Sequence, residues 1–153
     1  MKTPNSINWW KVLGTALLLH VILIALSIIT VFVYSMVINP GHPASFYEEF
    51  ALKASPYVSM IGGAVFVWLF VVRLNRHKLV NPFVIGIALP LIYIVIDVIL
   101  IMASTFDLLS NLKTLVVSSL IKLSAGAAAA YWVRSKQRVA MVAKETNSYT
   151  ASA

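Results

Sequence analysis

No cysteine occurs in the chain, which removes disulfides, thiolate metal sites, iron–sulfur clusters and cysteine nucleophiles. Charge is scarce as well: 11% of residues are charged, and five acidic residues face twelve basic ones. The chain also lacks a Gly-x-Ser-x-Gly elbow, a glycine-rich phosphate loop, a His-Glu-x-x-His motif and a pair of carboxylates within one apolar region. The common nucleophilic, phosphoryl and metal chemistries therefore lack their parts, and a non-enzymatic protein is expected. Haem ligation by two histidines would need a second one beside His20, but His42 and His77 fall in polar connections. No metal or cofactor is expected.

What the chain has in abundance is apolar length. Sixty per cent of its 153 residues are hydrophobic, and four apolar stretches run over 12–38, 57–72, 82–104 and 114–133. A helix rising 1.5 Å per residue needs roughly 20 such residues to cross a hydrocarbon layer about 30 Å thick. The pattern predicts an all-α polytopic integral membrane protein with spans at about 10–38, 56–73, 82–104 and 113–133. These fill one domain, residues 1–138, and leave a polar tail, 139–153, whose last residues from Thr146 are expected to be disordered. The first span opens like a secretory signal, but its 27-residue apolar run is longer than such regions, so a retained helix is expected.

The placement of charge predicts orientation. Lys2, Lys11, Arg73, Arg76, Lys78, Arg134, Lys136, Arg138 and Lys144 all fall on one side of the four spans, against Lys53 and Lys113 on the other. By the positive-inside rule both termini and the middle loop are cytoplasmic, giving an antiparallel four-helix bundle of N-in/C-in topology. Topology accounts for the net charge of +7 without nucleic acid, and anionic lipid headgroups on the cytoplasmic side are the expected partners of the basic ends. Lack of eukaryotic sorting signals points to a bacterial inner membrane.

Helix boundaries have their own markers. Trp9, Trp10, Tyr57, Tyr131 and Trp132 sit where headgroups are expected. Ser55-Pro56 and Asn81-Pro82 each read as an N-cap followed by proline at the first helical position, setting the starts of spans two and three. Asn39-Pro40-Gly41-His42-Pro43 must end the first helix. Beyond it, Phe46, Tyr47, Phe50 and Leu52 interleave with Glu48, Glu49 and Lys53, as in a short helix over 45–54 lying at the outer interface.

Charged groups inside spans are the residues most informative about function, because an unpaired charge in hydrocarbon is costly. Two occur, Asp97 and Lys122. Counted from the same membrane edge they lie roughly 22 and 16 Å deep, and side chains that lean towards their own N-termini bring them together. The third span repeats Gly86, Pro90, Tyr93, Asp97 and Ile101 at helical spacing, and the fourth repeats Ser118, Lys122, Gly126 and Ala130. Small residues allow close backbone approach, so both stripes should face protein; Ser59 and Gly63 repeat the motif in span two. Pro90 should kink the third helix. His20, some 15 Å deep, starts a seven-residue stripe through Ser27 and Tyr34 that could join Asp97 and Lys122 in a titratable cluster.

Two functions fit these features. The first is a small accessory or scaffold component whose Asp97–Lys122 pair fixes helix register, working with another membrane subunit. The second is a small-solute or proton-coupled transporter, a homo-oligomer because four helices rarely enclose a pathway alone. In size and span number the chain is similar to small multidrug exporters, but those carry their essential acid in the first helix, where this chain has His20. Architecture alone cannot assign a function.

Overall fold

The computed structural model describes residues 7–75, 81–103 and 108–150. It is 93% helix, with no strand among the described residues. Helix α1 spans Trp9–Val33 and runs on as a π-helical turn, Tyr34–Ile38; α2 spans Ala44–Asn75, α3 Pro82–Ala103 and α4 Leu108–Thr150. Each of the four is long and apolar enough to cross a membrane, the mark of a multi-pass membrane protein. Helix α4 packs on α2 and α3, and α1 on the same two.

Local chemistry accounts for the ends. Asn8 caps α1, its Oδ1 accepting from the Lys11 amide at 3.2 Å. At α3 the Asn81 side chain accepts from the Phe83 amide at 3.2 Å, and Pro82 occupies the first helical position, where its missing N–H is harmless. Between α1 and α2 the chain reverses at Gly41, whose φ of +89° glycine adopts without a Cβ penalty. Tyr47 pins this turn by donating to the Asn39 carbonyl at 2.8 Å and accepting from the His42 amide at 3.1 Å.

Two expectations need correction. Pro56 does not start the second helix: α2 is one helix from Ala44, and the segment 45–54 is its first part, not a separate interfacial helix. A proline within a helix removes a single backbone bond and crowds the carbonyl four residues back, here Leu52, a local defect that a 32-residue helix absorbs. The second concerns the tail, because α4 runs on to Thr150, through 146–150 where disorder was expected. No glycine or proline follows Gly126, so no strong helix breaker interrupts the pattern.

Burial is unevenly distributed along the bundle. Val12, Ala16, Leu19 and Leu23 of α1 recur at helical spacing and pack with Val67, Val71, Leu89, Tyr93, Ala129 and Ala130 into one core. Among the described side chains none from 24 to 62 and none from 94 to 117 is buried. One half of the bundle is closed, and the half towards the Gly41 turn is open.

Close backbone approach explains the closed half. A Cβ on Gly86 would stand 2.6 Å from the Gly126 carbonyl oxygen and 2.7 Å from the Ala130 Cβ, and one on Gly126 would collide with the Gly86 carbonyl. The stripe Ser118, Lys122, Gly126 and Ala130 is buried throughout, as are Gly86, Pro90 and Tyr93 on α3.

Candidate functional site

Where the closed half meets the open one, a single polar network draws on all four helices. Lys122 of α4 is 1% exposed, and its ammonium donates to Ser59 Oγ of α2 at 3.0 Å. The same Nζ stands 3.6 Å from Asp97 Oδ2 of α3 and 4.2 Å from the centroid of the Tyr93 ring. Ion pairing and the ring face thus share one buried cation. The other Asp97 oxygen, Oδ1, lies 3.1 Å from His20 Nε2 of α1, and the His20 ring stacks on Tyr93 at 3.9 Å between centroids. Gly63 makes room for the lysine stem, since a Cβ there would stand 2.5 Å from Lys122 Cε.

His20 carries a further constraint. Its Nδ1 is 3.0 Å from the Ala16 carbonyl oxygen, so both ring nitrogens face oxygens that accept hydrogen bonds. A neutral imidazole has only one N–H. The two contacts are both made only when a proton is held between His20 and Asp97, either on the ring or on the carboxyl. The network is therefore a place where a proton can reside and move between two named atoms, Nε2 and Oδ1.

The structure brings together His20, Tyr93, Asp97 and Lys122, and leaves Tyr34 elsewhere. Tyr34 stacks on Phe50 at 3.7 Å and belongs to an aromatic cluster closing the Gly41 turn. Fourteen residues of helix separate it from His20, roughly 21 Å along the axis, so a shared face does not make a shared site. Ser59 was expected only to pack, yet it is a direct partner of Lys122. Its signal, a hydroxyl four residues before Gly63, is common in apolar helices and does not by itself announce a hydrogen bond. His42 bonds to Asn39 in the turn, and His77 lies outside the described residues. Among the described residues no group of three His, Asp or Glu side chains could hold a metal ion.

Above the network, towards the Gly41 turn, lies a groove of about 750 Å³ between α2, α3 and α4. Asp97, Ser59 and Ser118 line its deep end, Leu52 and Leu115 its walls and Glu48 its rim. The Asp97 side chain is 25% exposed, whereas its partners His20 and Lys122 are closed off behind it. Comparison of the chain with protein-family models, with curated proteins and with solved structures finds no match.

Proposed function

We propose that this is a non-enzymatic protein of the bacterial inner membrane, an antiparallel four-helix bundle with both termini in the cytoplasm. It serves as an accessory or scaffold component, clasped at mid-depth by His20, Ser59, Asp97 and Lys122. One observation carries this reading: every helix gives one polar side chain to the same buried network. Apolar packing in lipid is weakly directional, because the tails are as apolar as the side chains, and a hydrogen-bonded ionic clasp supplies the missing register. The basic side chain of Arg134 lies against Phe83 at the start of α3, which supports a common basic end for these helices and hence the inward orientation. The test is a double-mutant cycle: Asp97→Asn and Lys122→Met each lower stability in detergent, and the double variant recovers part of the loss.

A specific observation also favours a second reading, proton-coupled solute movement by a homo-oligomer. His20 Nε2 stands 3.1 Å from Asp97 Oδ1, a pair between which a proton can be shared, and Asp97 opens to the groove. In proteoliposomes this reading requires a pH gradient to drive solute flux, and requires Asp97→Asn to abolish the flux while the bundle stays folded. Flux that survives in a folded Asp97→Asn, His20→Ala variant removes these residues as the coupling site.

A further inference from the structure

The groove has features that a clasp does not need. Its lining is largely apolar, its volume of about 750 Å³ lies within the range of small-molecule sites, and three polar side chains, Ser59, Asp97 and Ser118, meet at the deep end. One of those groups is unfulfilled. Ser118 is 6% exposed, lines the groove, and its Oγ has no hydrogen-bond partner. Serine hydroxyls in helices commonly bond to the carbonyl four residues back, and a buried hydroxyl left without any partner costs stability. That Oγ is covered at the groove's inner end, and its donor and acceptor capacity are both unspent.

The charges select the head of that occupant. Asp97 already faces two groups able to carry positive charge, His20 at 3.1 Å and Lys122 at 3.6 Å, so an ammonium at the deep end would be a third cation on that carboxylate, and the other lining carboxylate, Glu48, stands at the rim, eleven residues or roughly 16 Å along α2 from Ser59. An arriving carboxylate would meet Asp97 first and find no cationic side chain among those lining the groove. An uncharged hydroxyl suits both partners, since it donates to a carboxylate oxygen and accepts from Ser118. It also crosses the low-dielectric interior without the penalty of a charge.

We propose that this groove binds an uncharged amphipathic alcohol, with its hydroxyl seated between Asp97 and Ser118 and its apolar chain along Leu52 and Leu115. Along α2 the groove extends from Ser59 to Glu48, eleven residues or roughly 16 Å, which accommodates a long alkyl chain. The same chemistry is available from a free long-chain alcohol and from the hydroxyl of a diacylglycerol. This site goes beyond the clasp, because neither Ser118 nor Leu115 bridges the helices. Loss of binding with the stability cycle intact therefore refutes the site alone.

The full-length protein in phosphatidylcholine nanodiscs is photolabelled with a diazirine-bearing analogue of dodecanol, and labelled peptides are mapped. Dodecanol, dodecylammonium and dodecanoate compete at equal chain length, so that the head is the only variable. The site requires labelling of α2 and α4 peptides around Leu52 and Leu115, with dodecanol the strongest competitor. It requires Ser118→Ala to weaken dodecanol competition about fivefold, the worth of one hydrogen bond. Leu115→Trp, which fills the groove, must abolish groove labelling; should that variant not fold by circular dichroism, Leu52→Trp at the more exposed wall takes its place. Diacylglycerol added to the nanodisc identifies the lipid source if it competes and the free alcohol if it does not. Stronger competition by either charged amphiphile, or labelling that the tryptophan variant leaves unchanged, overturns the proposal.

Discussion

Removing the carboxylate charge at position 97 exposes the energetics of the clasp most directly. In Asp97→Asn the Lys122 ammonium keeps Ser59 Oγ at 3.0 Å and the Tyr93 ring face at 4.2 Å, but loses its counter-charge. Breaking a buried pair by deleting one partner costs about 3–5 kcal/mol, and a side chain 1% exposed has no water to fall back on.

Lys122→Met leaves a different problem. Asp97 is 25% exposed to the groove and retains His20 at 3.1 Å, so its loss should be smaller, about 1–3 kcal/mol. In the double variant neither charge remains, and methionine fills most of the volume left by the lysine stem against Gly63. The expected double loss is below the Asp97→Asn loss alone, a coupling of about 2–4 kcal/mol. Unfolding in mixed micelles, followed by circular dichroism against denaturing detergent, measures all four corners of the cycle. Strict additivity of the two single losses would mean that the residues do not interact and would remove the clasp from the argument.

Two further outcomes follow from packing and charge. Gly86→Ala places a Cβ within 2.6 Å of the Gly126 carbonyl oxygen and should cost about 1–3 kcal/mol, whereas Gly14→Ala meets nothing within 4 Å and should leave the melting temperature unchanged or raised; equal losses at both sites would contradict the close α3–α4 approach. Topology is tested with single cysteines at the exposed positions Ser45 and Ser135, where a membrane-impermeant maleimide added from outside should label the first and not the second; the reverse pattern would invert the assignment. Asn75, attractive on charge grounds alone, is 1% exposed with Nδ2 donating to the Val71 carbonyl, so a cysteine there would resist labelling from either side.

Different features were legible in the sequence for different reasons. The four spans follow from apolar length, which the bilayer fixes physically, and Asp97 and Lys122 stand out because charges in hydrocarbon are few. His20 could be placed at the right depth by counting residues. Its proton-sharing contact with Asp97 could not, because that depends on ring orientation, set by the Ala16 carbonyl and the stacked Tyr93. Tyr34 misled through periodicity: a seven-residue repeat reports a face but not a level, and Phe50 holds this ring at the other end of the helix. Pro56 misled through its preference for first-turn positions, which describes where proline is cheapest, not where a long helix must begin.

The groove was not anticipated from the sequence, but it falls where glycine is absent. Gly62, Gly63, Gly86 and Gly126 all lie at or below the clasp, where backbones approach closely, while Gly14 faces open space and Gly41 serves the turn. Between 94 and 117 there is no glycine, and α2 has none before Gly62. Burial ends at Tyr93 on α3 and begins at Ser118 on α4. Ser118 ends the small-residue stripe and lines the groove that opens beside it. That position, at the edge of the close-packed region, leaves its hydroxyl buried but unpaired and makes the deep end of the groove the place where a polar head gains most.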